Sequence, residues 1–149
     1  MVSTLIKLVS FFHGSAYKLC FILFLVAFLE KLQNYHPLPS DLILHLGNTY
    51  LLSDSPNAEI RFRYYEVAFL DPSTIAAKQL VTGAIKWVIG EDRSGVIKGR
   101  MKFCRPTLRA CSRVERQLVL DNWKKAKFMF HPIAQKLIDK VSDIVIKGD

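Results

Sequence analysis

Prolines recur along this chain at intervals that suit helices. Proline has no amide hydrogen and disfavours helix in the residue before it, so it usually marks where a helix begins or ends. Six prolines stand among the 149 residues, at positions 37, 39, 56, 72, 106 and 132. They divide the chain into segments of helical length, and the fold must be built from those segments.

The segments carry apolar residues at three- and four-residue spacing, the pattern of a helix with one buried side. No segment alternates apolar and polar residues over a sustained stretch, so a sheet is not expected. We predict an all-α fold of roughly seven helices, stacked in layers as antiparallel helix pairs. The apolar sides are Leu42, Ile43, Leu46 and Tyr50; Ile60, Tyr64, Val67 and Ala68, with Arg61 off that side; Ala76, Leu80, Ala84 and Val88; Val119, Trp123, Ala126 and Phe130; and Ile133, Leu137, Val141 and Ile144.

Polar side chains beside the prolines predict where helices start, because they can accept hydrogen bonds from the first free amides. Ser40, Ser55 before Pro56, and Asp71 before Pro72 are expected to cap three of the helices. His131 is expected to cap the last one. Pro106 itself is predicted to begin a helix, which places residues 96–105 in a connection.

The most hydrophobic stretch is LCFILFLVAFL, eleven uncharged residues at positions 19–29. It is too short to cross a bilayer, which needs about 20 apolar residues. Extension back to Leu8 reaches that length only by including His13 and Lys18, which are costly inside a membrane. No A-x-A-like site for a signal peptidase follows. Two interpretations stay open: a buried first helix, or a weak membrane anchor formed by residues 1–29.

Charge is concentrated in the C-terminal part. Residues 86–149 hold 15 basic and 7 acidic side chains, which account for the whole net charge of +8. This distribution predicts an anionic partner: nucleic acid, a membrane surface or an acidic group of a substrate. The three cysteines, Cys20, Cys104 and Cys111, form no C-x-x-C pair, so we expect free thiols, two of them in the core, and a reducing, cytoplasmic location.

Catalytic and metal-binding signatures are absent from the sequence. The four histidines are scattered, with no H-E-x-x-H to set two imidazoles on one helical face. There is no glycine-rich phosphate loop and no G-x-S-x-G. We therefore predict no catalytic residue, metal ligand or cofactor in this chain.

The basic residues after position 98 fall into two groups. Arg105, Arg109, Arg113 and Arg116 repeat at helical spacing and are interpreted as a solvated face; a basic helical-repeat module that binds nucleic acid is the alternative. Arg100 and Lys102 differ because they alternate with Met101 and Phe103. If those two apolar residues anchor the segment, Arg100 and Lys102 project together and form a receptor for a carboxylate or a phosphate.

Four separated motifs resemble the C-terminal domain of leukotriene A4 hydrolase and its relative aminopeptidase B. They are the segment from L-P at 38–39 to N-T-Y at 48–50, S-P-N-A-E-I-R-F-R at 55–63, G-R-M-K-F-x-R-P at 99–106, and H-P-I at 131–133. The third motif resembles leukotriene A4 hydrolase more closely than aminopeptidase B. The resemblance covers residues 27–142 and does not extend to residues 1–26, so we expect a hydrophobic segment over 1–26 and the family's helical domain over 27–149.

The resemblance implies an armadillo-like, two-layered helical superhelix. It also implies a partner: a thermolysin-like catalytic domain that binds zinc through H-E-x-x-H and a distant glutamate. In that assembly Arg100 and Lys102 bind the substrate carboxylate, which is the C-terminus of a short peptide or the acid of a lipid epoxide. Because this chain lacks the zinc ligands, we expect a detached C-terminal domain of a metallopeptidase, inactive alone and with no nucleic-acid partner.

Overall fold

Seven α-helices make up the part of the chain that the computed structural model describes, residues 15–35, 37–94 and 100–144. Those residues contain no β-strand, so the all-α prediction is confirmed. A single 3₁₀ turn, Lys127–Met129, follows the sixth helix. The helices are α1 Ser15–Leu32, α2 Ser40–Tyr50, α3 Ala58–Ala68, α4 Ile75–Ile89, α5 Met101–Val114, α6 Arg116–Ala126 and α7 Pro132–Ile144.

The helices are stacked in two layers. Each helix packs against the second helix along the chain: α1 on α3, α2 on α4, α3 on α5, α4 on α6 and α5 on α7. Odd-numbered helices therefore form one layer and even-numbered helices the other. Contacts between α4 and α5 and between α5 and α6 join the layers. This is the arrangement of a helical superhelix, in which each unit buries its apolar side against its neighbours.

Aromatic rings from three helices meet in the core. The Phe103 ring of α5 lies 5.4 Å from Phe62 of α3 and 6.1 Å from Trp87 of α4, measured between centroids. Tyr65 of α3 lies 5.5 Å from Trp87 and stacks on Phe69 at 5.8 Å. All five rings are buried. The cluster fixes the N-terminal turn of α5 against both layers.

Two of the predicted helix starts lie elsewhere. Asn57, not Ser55, caps α3: its Oδ1 accepts hydrogen bonds from the amides of Glu59 and Ile60 at 2.9 and 3.4 Å. Thr74, not Asp71, caps α4, because the Asp71 carboxylate instead closes a turn with Ser73.

Ser40 does not cap α2. Pro39 occupies the capping position, and Ser40 Oγ accepts a hydrogen bond from the amide of Ala76, 3.2 Å away, at the start of α4. The hydroxyl therefore links the starts of two even-layer helices. The prediction failed because local sequence does not reveal an amide 36 residues away.

Pro106 does not begin α5 either. The helix starts at Met101 and carries Pro106 inside it, at the cost of the amide hydrogen bond that proline cannot donate. Phe103 and Cys104 are buried, and Cys104 Sγ donates to the carbonyl of Val88 at 3.2 Å. Tertiary packing therefore outweighs the local preference of proline.

Helix α1 buries only one edge of the hydrophobic stretch. Leu25 and Leu29 are in the core, and the Arg63 guanidinium bonds Glu30 at 2.7 Å to tie α1 to α3. The buried-helix interpretation holds for that edge alone. Residues 1–14 lie outside the described part, and within that part no helix combines the length and apolar character needed to cross a bilayer. The large exposed apolar residues of α1 are Leu19, Phe21, Leu23, Phe24 and Phe28.

The apolar stripes of α4 and α6 are buried or partly buried as predicted, whereas that of α7 is shifted. Ile133 is exposed, and Ala134 and Ile138 are buried in its place. The predicted positions Val141 and Ile144 lie outside the side chains that the structure describes. Two cysteines are in the core as predicted, while Cys20 is exposed.

Candidate functional site

Arg100 and Lys102 stand at the N-terminus of α5. Arg100 occupies the capping position, and its carbonyl accepts hydrogen bonds from the amides of Phe103 and Cys104, both at 3.0 Å. Phe103 is buried and Met101 is half-buried, while Arg100 and Lys102 are both exposed. The anchoring of the apolar pair thus agrees with the sequence prediction, although the segment is the start of a helix and not a connection. That both cations hold one ligand stays a prediction.

Lys102 already binds a carboxylate of its own chain. Its ammonium forms an ion pair with Oε1 of Glu59, in the first turn of α3, and lies 5.3 Å from the centroid of the Phe103 ring. Glu59 was not predicted from the sequence, because 43 residues separate it from Lys102. Its place within the motif at 55–63 was the available signal.

The electrostatics of this helix end favour an anion. The first amides of a helix carry the positive end of its dipole, and here Arg100 accompanies them together with Lys102, whose charge is partly balanced by Glu59. The guanidinium can bond a carboxylate with two parallel hydrogen bonds, whereas the ammonium acts as a point charge. The chemistry of the two side chains suits a carboxylate or a phosphate, and such a ligand stays a prediction.

Arg61 is not a surface residue. It is 6% exposed, and its Nη1 donates to Asp92 Oδ2 at 2.7 Å while the guanidinium lies 5.0 Å from the centroid of Trp87. Helical periodicity placed Arg61 off the apolar side of α3, but the turn after α4 covers it. A cavity of about 410 Å³ opens beside this pair, lined also by Lys86 and Arg93.

The buried titratable groups are not poised for catalysis at neutral pH. Burial raises the pKa of Tyr64 to about 12 and that of the Cys111 thiol to about 12. Burial also raises the pKa of Tyr65, although the nearby Arg61 opposes the shift. The thiol and both phenols therefore stay protonated, which agrees with a structural role in the core.

The arginine stripe of α5 is mostly solvated, as predicted. Arg105, Arg109 and Arg113 are exposed, and Arg113 Nη2 donates to the carbonyl of Phe69 at 3.4 Å. Arg116 is half-buried at the start of α6. Nothing about this stripe identifies a ligand.

The histidines described here have local roles. His131 Nδ1 accepts a hydrogen bond from the amide of Ile133 at 3.3 Å, which confirms it as the cap of α7. His45 lies 3.5 Å from the Thr49 hydroxyl, one helical turn away. Within residues 15–35, 37–94 and 100–144, no three His, Cys, Asp or Glu side chains come together in a way that could hold a metal ion.

Similar sequences come from fungal peptidases. The chain is 32% identical to leucine aminopeptidase 2 of Neurospora crassa over 77% of its own length, and 33% identical to leucine aminopeptidase 2 of Emericella nidulans over 78%. It spans only 16% and 17% of those two relatives. No solved structure matches the chain significantly.

A family profile matches most of the chain. The family described as "Leukotriene A4 hydrolase, C-terminal" matches residues 24–142, a range that begins within α1 and takes in the motifs at 38–50, 55–63, 99–106 and 131–133. The all-helical, two-layered fold agrees with that match. The chain therefore belongs to the leukotriene A4 hydrolase C-terminal family.

Proposed function

We propose that this chain is the substrate-carboxylate recognition and scaffold domain of a zinc metallopeptidase of the aminopeptidase and leukotriene A4 hydrolase type. Arg100 and Lys102 bind the carboxylate, and a separate catalytic domain supplies the zinc and the chemistry. One observation carries the proposal: at an anchored helix N-terminus, Lys102 is already paired with the carboxylate of Glu59, a group like the one proposed for the substrate.

The chain's own residues bind and orient, and they do not react. Arg100 and Lys102 hold the carboxylate end of a short peptide or of a lipid epoxide, so that the scissile group lies at a fixed distance from the helix end. Phe103 keeps α5 in place against Phe62 and Trp87. Holding the substrate in one geometry lowers the entropy cost of the reaction that the catalytic domain performs.

Catalysis needs a second domain. This chain spans only 16% and 17% of the first two curated relatives, which leaves room in them for a separate catalytic domain. The zinc is assigned by this proposal to that catalytic domain, as the family resemblance implies. The free thiols support a cytoplasmic location.

The test is binding of a peptide carboxylate to the full chain. Leu-Gly-Gly and its C-terminal amide are titrated while backbone amide shifts are recorded by NMR. We expect the free acid, not the amide, to shift the residues at the start of α5. Replacement R100A or K102A is expected to weaken binding at least tenfold. The matched control is R109A, which removes another exposed arginine of the same helix.

Three results contradict the proposal. Equal binding of the acid and the amide would show that the carboxylate is not recognised. Equal loss on R109A would indicate general attraction to the basic helix, which favours the nucleic-acid alternative. Zinc-dependent aminopeptidase turnover by the purified chain would overturn the proposal that it is inactive alone.

The exposed apolar side of α1 supports a second candidate, a small helical protein anchored to a membrane through residues 1–29. Fractionation of cells expressing the full chain or a chain lacking residues 1–26 tests it. The anchor predicts that only the full chain sediments with membranes, and a full chain that stays in the supernatant excludes it.

A further inference from the structure

The corner between α6 and α7 carries an apolar tip that the carboxylate site does not use. Phe128 is 86% exposed in the 3₁₀ turn, Met129 beside it is exposed, and Ile133 in the first turn of α7 is 65% exposed. Ala126 and Phe130, on either side of the exposed pair, are buried. The tip therefore protrudes because the chain is anchored on both sides of it. We call Phe128, Met129 and Ile133 the corner tip.

The corner itself is held firmly. The Trp123 and Phe130 rings lie 5.0 Å apart in an edge-to-face contact. Asp139 accepts hydrogen bonds from Trp123 Nε1 at 2.9 Å and from Lys127 Nζ at 2.7 Å, which ties the end of α6 to α7. Gln135 Nε2 donates to the carbonyl of Phe130 at 2.8 Å. The backbone that carries the corner tip is therefore held in place by these contacts between α6 and α7.

Lysines lie on both sides of the corner tip along the chain. Between positions 121 and 143 the chain has five lysines and three aspartates, of which Asp139 is already bonded to Lys127. Lys136 and Lys140 follow Ile133 at three- and seven-residue spacing, so the three exposed side chains share one face of α7. Lys124 and Lys125 are exposed in the last turn of α6, four and three residues before Phe128.

We propose that the corner tip and its lysines dock the domain on an anionic lipid bilayer. Aliphatic and aromatic side chains enter the boundary between headgroups and acyl chains, while long lysine side chains keep their ammonium groups among the phosphates. Protein–protein interfaces are instead depleted in lysine, although aromatic residues, methionine and arginine are enriched there. Because all five cations here are lysines and the apolar residues protrude, the chemistry of the corner fits a lipid surface.

The experiment is co-sedimentation of the full chain with vesicles of phosphatidylcholine alone or with 30% phosphatidylserine. We expect at least tenfold tighter binding to the vesicles with phosphatidylserine, and loss of that preference in 0.5 M salt. Replacements F128S and I133S are expected to weaken binding at least fivefold each. The triple replacement of Lys124, Lys125 and Lys136 by Gln is expected to remove the preference for phosphatidylserine.

Ile75 provides a matched control, because it is also an exposed first-turn isoleucine, at 65%. I75S is expected to bind vesicles as the unchanged chain does. A second measurement does not depend on the polar variants folding: in F128W the new tryptophan should be quenched by brominated lipid, whereas the buried Trp87 and Trp123 should not.

Three outcomes overturn the proposal. The first is a chain that does not sediment with phosphatidylserine vesicles. The second is a loss of binding on F24S in α1 but not on F128S, which assigns the membrane contact to the N-terminal segment. The third is self-association of the chain that F128S abolishes, which makes the corner tip a contact between copies.

Discussion

Replacement of Gly47 by alanine should destabilise the domain, although alanine is the better helix former. Gly47 lies inside α2 and is buried against Tyr64 of α3. A Cβ added there would lie 2.7 Å from Tyr64 Cζ and closer still to the phenolic oxygen, so the ring must move. The ring is 2% exposed, and its hydroxyl donates to the carbonyl of Ile43 at 3.1 Å. Moving it therefore breaks a buried hydrogen bond.

The magnitude follows from three contributions. Overpacking a buried site costs about 1–3 kcal/mol. Leaving the Tyr64 hydroxyl and its acceptor without partners costs about 1–3 kcal/mol more. The higher helix propensity of alanine offsets about 1 kcal/mol of this loss of stability. The free energy of unfolding of G47A should fall by about 3 kcal/mol, and the melting temperature by about 10 °C for a chain of this size.

Urea unfolding followed by tryptophan fluorescence measures the change, since Trp87 and Trp123 are buried. Gly83 in α4 provides the control, because its added Cβ would come no closer than 3.6 Å to Tyr65 Oη. G83A should raise the free energy of unfolding by about 1 kcal/mol through helix propensity alone. If G47A is as stable as G83A, the close packing of α2 against α3 is refuted.

Further predictions concern the charged and sulfur-containing groups. D92N leaves the buried Arg61 without its counter-ion and should lower the free energy of unfolding by about 3 kcal/mol, measured by urea unfolding; no loss would mean that water reaches the guanidinium. A thiol reagent at pH 8 should label Cys20 rapidly and Cys111 only on unfolding, because burial raises the pKa of Cys111 to about 12; equal labelling of both native thiols contradicts this. The pKa of Asp139 is lowered: burial alone would raise it, but the bonds from Lys127 and Trp123 outweigh that effect. Its stabilising contribution is therefore present above the unfolded-state pKa of about 3.9 and disappears as the pH falls through the lower folded-state value. D139N should make acid unfolding less steep below about pH 4, and an unchanged acid profile would contradict the assignment.

Local signals were enough to predict the helices, because helix-length segments, apolar spacing and proline breaks all act within a few residues. These local signals did not predict correctly where each helix begins. Pro106 lies inside α5 because the burial of Phe103 and Cys104 stabilises a turn that the local preference opposes. Ser40 reaches an amide of α4 for the same reason: a tertiary partner is better placed than the local one.

The candidate site was only half visible in the sequence. Arg100 and Lys102 stood out as cations between apolar anchors, and the family motif supplied their proposed role. Glu59 did not stand out, because an ion pair between α3 and α5 depends on the stacking of odd-numbered helices, which no local pattern encodes. Arg61 was wrongly predicted to lie off the buried side of α3 for a related reason, because its ion-pair partner, Asp92, lies in the turn after α4.

The position of Phe103 next to Lys102 has a consequence for how the site can change. The ring is shared by three helices, so the backbone that carries the cation cannot shift unless the aromatic cluster shifts with it. The carboxylate ligand proposed for this helix end would therefore meet a backbone already ordered by folding, and its binding would cost little conformational entropy there. Because Phe103 links the start of α5 to the aromatic cluster, a substitution at another ring of the cluster should change the affinity of that ligand without contacting it. Substitutions in the cluster should therefore change the stability of the domain and the affinity of the proposed site at the same time.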